Sequence, residues 1–356
     1  LTGMLLGNTP YKGGQLISFP TEFLAAISII ALAIVVFDGS SRLKFRFFDT
    51  FSLHALKLTG VLLISNIVLL APMLYFFTEI NSIALSLIFA IVMAGTAPDV
   101  VVTMVPQKTS RILNLLKVEG LLNTPVIVLF PFMILDFLET TGGSEIVISN
   151  IIEQIAPFLQ QIVAGIGAGV VIGMILFKIM RRFYSETLSP LSLIAAALLS
   201  YILAENLGGN GVLGVMSAGL IFGNLHIKQK IELQEFSGLF ATFLEILVFV
   251  LIGVIIKIPL TAWFLISSIT LFATYLMIRY FAIELSFREM FNVKEKIFLA
   301  LVAPKGIAVA AIVFSFTTIT LQGMTQILNL ILAFMIYSIL VSTIAIRFKD
   351  YFLLKA

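Results

Sequence analysis

The chain has 356 residues, 60% of them hydrophobic and only 12% charged, with a mean hydropathy of +1.12 and a formal net charge of +3, a balance that belongs to polytopic membrane proteins rather than soluble domains. With no cysteine and only two histidines, His54 and His226, it lacks the material for a disulfide framework, a Cys-ligated zinc or a thiol nucleophile, and has little for a His-based metal site or a Ser-His triad. No Lys/Arg run is interleaved with exposed aromatics, so nucleic acid is not an expected partner.

A helix needs about 20 apolar residues to cross the hydrocarbon layer. By that measure about eleven spans follow one another near 18–37, 53–77, 84–105, 113–138, 155–177, 191–206, 211–225, 237–256, 262–280, 297–319 and 326–346. Leu1–Gly7 reads as the tail of an earlier span, since the chain opens with Leu. The expected fold is all-α and polytopic, with no cofactor and the lipid bilayer as its surroundings.

Connections between the spans alternate in charge. One set carries Arg42, Lys44 and Arg46, then Lys108 and Arg111, then Lys178, Arg181 and Arg182, then Lys228 and Lys230, then Arg288, Lys294 and Lys296, and finally Arg347, Lys349 and Lys355. The opposite set holds Lys12 and Lys257, and its 139–154 segment is acidic, with Glu139, Glu145 and Glu153. Cations collect on the cytoplasmic side, so the basic set and the C-terminus are expected there, in what is read as a prokaryotic cell membrane.

The remaining cations, Lys57, Lys117, Arg279 and Lys305, fall inside spans, as do the acids Asp99, Glu119 and Glu245. An ionisable group at the centre of a span costs about 2.5–3.5 kcal/mol on insertion scales, so it normally faces a partner or a water-filled cavity. Glu22, Asp136, Glu205, Lys57 and Lys117 lie near enough to an interface to reach water by snorkelling.

Two spans combine a charge with helix breakers. Span 84–105 contains Ala94-Gly95-Thr96-Ala97-Pro98-Asp99-Val100, and span 297–319 contains Val302-Ala303-Pro304-Lys305-Gly306-Ile307. Proline removes a backbone donor and glycine lowers the cost of irregular torsions, so both helices are expected to unwind locally. The loop charges make the two spans antiparallel, as an inverted repeat requires. Interrupted helices at matching places in inverted halves mark the substrate site of secondary transporters.

Span 113–138 follows with Lys117-Val118-Glu119-Gly120-Leu121-Leu122-Asn123-Thr124-Pro125. Glu119 and Asn123 are four residues apart and share a helical face, which with Thr124 makes a polar cluster suited to a small cation. Arg279 falls at a depth comparable to Glu119, and the two are expected to form an architectural ion pair that lowers the cost of burying either.

These segments resemble the monovalent cation/proton antiporters, the sodium–proton exchanger superfamily, over nearly the whole chain. Val36-Phe37-Asp38-Gly39 is similar to that family's Phe-Glu-Gly-Gly, Gly95-Thr96-Ala97-Pro98 to its Gly-Thr-Asp-Pro, and Glu119-Gly120-Leu121-Leu122-Asn123-Thr124 to its Glu-Ser-Leu-Leu-Asn-Asp. Phe249-Val250-Leu251-Ile252-Gly253 resembles the Phe-x-Leu-x-Gly segment, and Ala303-Pro304-Lys305-Gly306 the Gly-Pro-Arg-Gly. The resemblance implies an inverted-repeat, thirteen-helix fold with two crossed helices, a homodimer, and a mobile core moving against a dimerisation domain. Within a single transport domain over 1–356, the core corresponds to roughly 53–138 and 262–346 and the dimerisation part to roughly 1–37 and 155–256. It also implies an ion pair from Glu119 to Arg279 or Lys305. Ala97 and Thr124 stand where the family carries its two best-known aspartates.

The expected activity is exchange of Na⁺ or K⁺ for H⁺ by alternating access. Asp99 is the candidate carboxylate for either ion, with Asn123, Thr96 and Thr124 as neutral oxygen ligands, a hard set suited to an alkali cation. Loss of two family acids leaves a cation channel, an organic-anion transporter using Lys305, or an inactive sensor as alternatives on the same fold. An enzyme is not expected, because no span pairs the groups that catalysis needs.

Overall fold

The computed structural model describes residue 3 and residues 10–11, 14–15, 19–42, 50–78, 80–97, 110–140, 148–226, 229–255, 259 and 261–353. Apart from connections and a two-residue antiparallel ladder between β1 (Pro10–Tyr11) and β2 (Gly14–Gln15), the described chain is helical.

Each expected span has at least a part on described helix; residues 98–105 of the third lie outside the described residues. The first is α1 (Thr21–Ser41); the second begins as α2 (Thr50–Ser65) and ends as α3 (Ala71–Phe77); the third opens with α4 (Ile83–Val92). Then come α5 (Ser110–Thr140), α6 (Ile148–Arg182), α7 (Leu188–Asn206), α8 (Gly211–Asn224), α9 (Lys230–Ile255) and α10 (Ala262–Ser286). The tenth span is split into α11 (Val293–Leu301) and α12 (Ile307–Phe316), and the last is α13 (Met324–Arg347), followed by the short α14 (Lys349–Phe352). Among the described residues, eight helical stretches are long and apolar enough to cross a membrane. The three that fall short are the 14-residue α8 and the two spans whose described helix is interrupted, at Met93 and at Val302.

Local signals set the helix starts. Ser82, Asn210 and Thr261 each accept a hydrogen bond from the amide three residues on, satisfying one of the orphan donors of a first turn. Asn292 and Glu295 form a reciprocal capping box at α11, and Gly323, at φ 86°, supplies the left-handed turn before α13 that other residues resist.

The second span departs from the uniform helix expected over 53–77. Between α2 and α3 the backbone widens into a π-helical turn, Asn66–Leu70, just before Pro72 at the start of α3. In the wide turn the Ala71 amide reaches back five residues to the Asn66 carbonyl, directly before Pro72, which has no donor to give. Asn66 is fully buried, and its Nδ2 donates to the Ala90 carbonyl on α4 at 3.1 Å.

Two groups of helices can be followed through their contacts. Helix α8 packs among α1, α6 and α7. The small residues Gly165 to Gly173 let α6 come close: a methyl group at Gly169 would overlap the backbone of Gly214 on α8. The stripe is therefore a packing face inside one chain. Helices α2, α4, α5, α10, α11 and α13 contact one another in a second group, and α12 meets both, touching α1 and α9 on one side and α5 and α13 on the other. Residues Ala308 to Phe316 of α12 are accordingly all buried. The outer faces are apolar, as at Val163, Met174, Phe243, Ile266 and Phe281, all more than half exposed. Apolar surface of this extent is suited to hydrocarbon chains rather than water.

Candidate functional site

Both interrupted spans leave the helix beside a glycine, at Gly95 in the first and at Pro304, Lys305 and Gly306 in the second, and the described parts of the two unwound segments meet. After Val92 the chain turns and runs irregularly through residues 93–97; after Leu301 it runs extended through residues 302–306 before α12. The Ala97 amide donates to the Pro304 carbonyl at 2.8 Å, a backbone bond from one break to the other. Gly306 is needed at the crossing because a methyl group there would overlap the side chain of Ala97. Unwound backbone is tolerated at such depth only when protein or a cavity satisfies it, and here each break partly satisfies the other.

Lys305 completes that role for the first break. Its ammonium donates to the carbonyls of Met93 and Gly95 and to the Tyr275 hydroxyl, the latter two at 2.9 and 2.6 Å, and it stands 4.1 Å from the Tyr275 ring centroid. Three donors thus meet three oxygens. Its own amide donates to Ser338 Oγ at 3.1 Å, which ties the second break to α13. Both groups are buried on this side, Lys305 being 2% and Tyr275 0% exposed.

Glu119 and Arg279 form the second half of the arrangement. Two parallel hydrogen bonds, Nη1 to Oε1 at 2.8 Å and Nη2 to Oε2 at 3.1 Å, join them, and neither side chain is exposed. The fork geometry of guanidinium and carboxylate is what makes a buried pair tolerable. Arg279 Nε also donates to the Leu299 carbonyl at 3.3 Å, so the pair anchors α5 to both α10 and α11. Of the two partners that resemblance allowed for Glu119, the geometry selects Arg279 and gives Lys305 the backbone carbonyls instead.

Asn123 lies between these halves. Its Nδ2 approaches the Ala94 carbonyl at 3.3 Å, Thr96 Oγ1 at 3.4 Å and Glu119 Oε1 at 3.5 Å. Its Oδ1 is buried with no hydrogen-bond partner among the described residues, and the residue is 1% exposed. Such an orphan acceptor is costly unless something occupies it. Thr124 is placed differently: its hydroxyl donates to the Gly120 carbonyl of its own helix at 2.8 Å, and its methyl faces α1, where a side chain at Gly39 would touch it. The proton of Thr124 is therefore turned away from the Asn123 group. Asp99 lies outside the described residues.

One residue before Gly39, α1 carries a further carboxylate, on the side that faces Gly238 of α9. Asp38 is held by Arg42 through two bonds of 2.9 and 3.0 Å, with the Asp38 side chain 15% exposed. Of the acids expected to reach water, Glu22 and Glu205 are exposed, and Glu205 accepts from the Gly211 amide at 2.8 Å at the start of α8. Lys57 is exposed too and donates to the Leu285 carbonyl at 3.3 Å. The sequence reading overlooked Tyr275, Asn66 and Ser338. Tyr275 had a usable signal, being four residues before Arg279 and so on the same face of α10; an uncharged Asn or Ser within an apolar run gives none.

Comparison with known proteins agrees with this architecture. The chain is 27% identical over 179 residues to a low-affinity Na⁺/H⁺ antiporter, NhaS1, of Synechocystis sp., a match covering 48% of this chain and 33% of that protein. It is 26% identical over 249 residues to the Na⁺/H⁺ antiporter ApNhaP of Aphanothece halophytica, covering 67% of this chain and 46% of that protein. The matches thus span about a third to a half of the length of these relatives. The solved structure of the sodium proton antiporter MjNhaP1 from Methanocaldococcus jannaschii superimposes with a TM-score of 0.70 over 99% of this chain and 89% of that one, at 18% identity, which shows a shared fold. The family described as the transmembrane sodium/hydrogen exchanger matches residues 1–348, nearly the entire sequence. This all-helical chain, with its two crossed and unwound helices, belongs to the sodium/hydrogen exchanger family of integral membrane proteins.

Proposed function

We propose that the chain exchanges a monovalent cation, Na⁺ or K⁺, for H⁺ by alternating access, with Asp99 as the carboxylate that takes either ion. One observation carries the reading. Both oxygens of Glu119 are engaged by Arg279, and Lys305 adds a second formal cation, so the described network offers an incoming cation oxygens but no unmatched negative charge. Asp99, two residues beyond Ala97, is the nearest carboxylate in the chain to the first break. A proton and a cation competing for that single charge exclude one another, and exchange follows without a separate coupling device. The unpartnered Oδ1 of Asn123 and the oxygen of Thr96 supply neutral ligands, of the hard kind that alkali cations prefer; Thr124 contributes its lone pairs, its proton being committed to Gly120.

On this reading the protein is a transporter that needs no cofactor, resident in a prokaryotic cell membrane with its basic connections and C-terminus in the cytoplasm. The core comprises roughly 53–138 and 262–346 and moves against a scaffold of roughly 1–37 and 155–256, through which two copies pair. The alternative of an anion held at Lys305 is disfavoured, because three oxygens already occupy that amine.

The test is exchange in proteoliposomes containing a pH dye, with Na⁺, K⁺ and Li⁺ compared. Asp99→Asn should abolish cation-driven proton movement; full exchange by that variant would remove Asp99 from the mechanism. Asp38→Asn, measured in parallel, shows whether the carboxylate on α1 takes that part instead. Net current independent of any proton gradient would indicate a channel.

A further inference from the structure

Away from the crossing, a second hollow combines apolar walls with a cation at its edge. Between α11, α13 and α14 lies a cavity of about 430 Å³ lined by Leu301, Val341, Ala345, Phe348, Tyr351 and Phe352, within the ~300–1,000 Å³ usual for small-molecule sites. Its lining is apolar but for the Tyr351 hydroxyl. Ile344, Phe348 and Tyr351 form an exposed rim, at 57, 58 and 66%.

Cations gather at that rim. Lys294 is exposed, and its Nζ stands 4.6 Å from the centroid of the Tyr351 ring. Arg347 and Lys349 flank Phe348 in the chain, Arg347 being exposed. The acids nearby are Asp350, which is exposed, and Glu295, whose carboxylate is used by the Asn292 amide at 2.8 Å. An apolar hollow with a cationic mouth matches a molecule that is a hydrocarbon at one end and an anion at the other. An extended peptide would find no partners for its backbone in such a lining. The hollow also lies at the end of the helices that bears the basic connections, where juxtamembrane cations attract anionic headgroups.

We infer that this cavity binds one anionic phospholipid of the leaflet facing the basic connections, with an acyl chain lying against Leu301 and Val341 and the phosphate at Lys294. The position gives the lipid a route to the crossing. The Leu301 carbonyl accepts from Ser342 Oγ at 3.1 Å, and the next residue, Val302, begins the second break; one turn along α13, Ser338 accepts from the Lys305 amide. A filled cavity braces the two helices that hold the broken segment.

Native mass spectrometry of the detergent-extracted full chain, supplied with phosphatidylglycerol or phosphatidylcholine, tests this without reference to transport. The expected result is one phosphatidylglycerol retained per chain in preference to phosphatidylcholine, lost in Ala345→Trp, which fills the hollow, and lowered several-fold in Lys294→Gln, a surface change that leaves the core intact. Equal retention of both lipids would overturn the role of the cationic mouth, and unchanged phosphatidylglycerol retention by a folded Ala345→Trp would overturn the site. A concentration-dependent dimer that retains no lipid and is broken by Lys294→Gln would assign the surface to a second copy and likewise refute the proposal. Because the readout is bound lipid, failure here leaves the exchange assay unaffected, and failure of that assay leaves this result standing.

Discussion

Glu119 and Arg279 are fully buried and have each other as charge partner, so removing one leaves an uncompensated charge in a dry interior. Glu119→Gln should destabilise the protein by about 3–5 kcal/mol, seen as a lowered midpoint of thermal unfolding in detergent. The double variant Glu119→Gln/Arg279→Gln should recover part of that loss, because the stranded guanidinium is gone; no recovery would mean that the pair acts through packing. Lys305 makes a different case. Its amine holds two backbone carbonyls of the opposite break, and Lys305→Met would leave Met93 and Gly95 without a donor. Each orphaned buried acceptor costs about 1–3 kcal/mol, so this variant should lose both stability and exchange. Arginine at 305 would restore a donor and stability if charge and hydrogen bonding are what the site needs.

Among the elements, the crossing makes a steric demand on one residue. Gly306→Ala would press a methyl group into Ala97, an overpacking that costs about 1–3 kcal/mol, and Ala97→Gly should relieve it in the double variant, measured by the same unfolding assay. Much of this architecture was legible in the sequence because its causes are local: proline and glycine close together, as at Pro304 and Gly306, favour a break where single prolines such as Pro157 are carried inside a helix, and Lys305 marks the depth by its cost. The Glu119–Arg279 contact was readable only as an equality of depth, since 160 positions separate the two residues. The donors to Met93 and Gly95 could not be read, because backbone carbonyls leave no mark on a sequence. The π-turn at Asn66–Leu70 stayed hidden for a related reason: Pro72 signals a disturbance, but whether the helix kinks or widens depends on Asn66 finding the Ala90 carbonyl on a neighbouring helix.

At the scale of the whole molecule, the proposed orientation rests on charge, and the absence of cysteine from the 356 residues makes it directly measurable. A single Ser185→Cys, in the connection after Arg181 and Arg182, should react with an impermeant maleimide only from the cytoplasmic side, whereas Leu207→Cys, exposed in the turn between α7 and α8, should react from outside; the reverse pattern would invert the topology. The backbone bond from Ala97 to Pro304 also constrains how such a molecule moves. A stitch of this kind ties the fate of residues 93–97 to that of residues 302–306, so loosening it by Gly306→Ala should raise deuterium uptake on both. Joint loosening would fit the proposed transport if both breaks ride on one carriage rather than on two independent jaws.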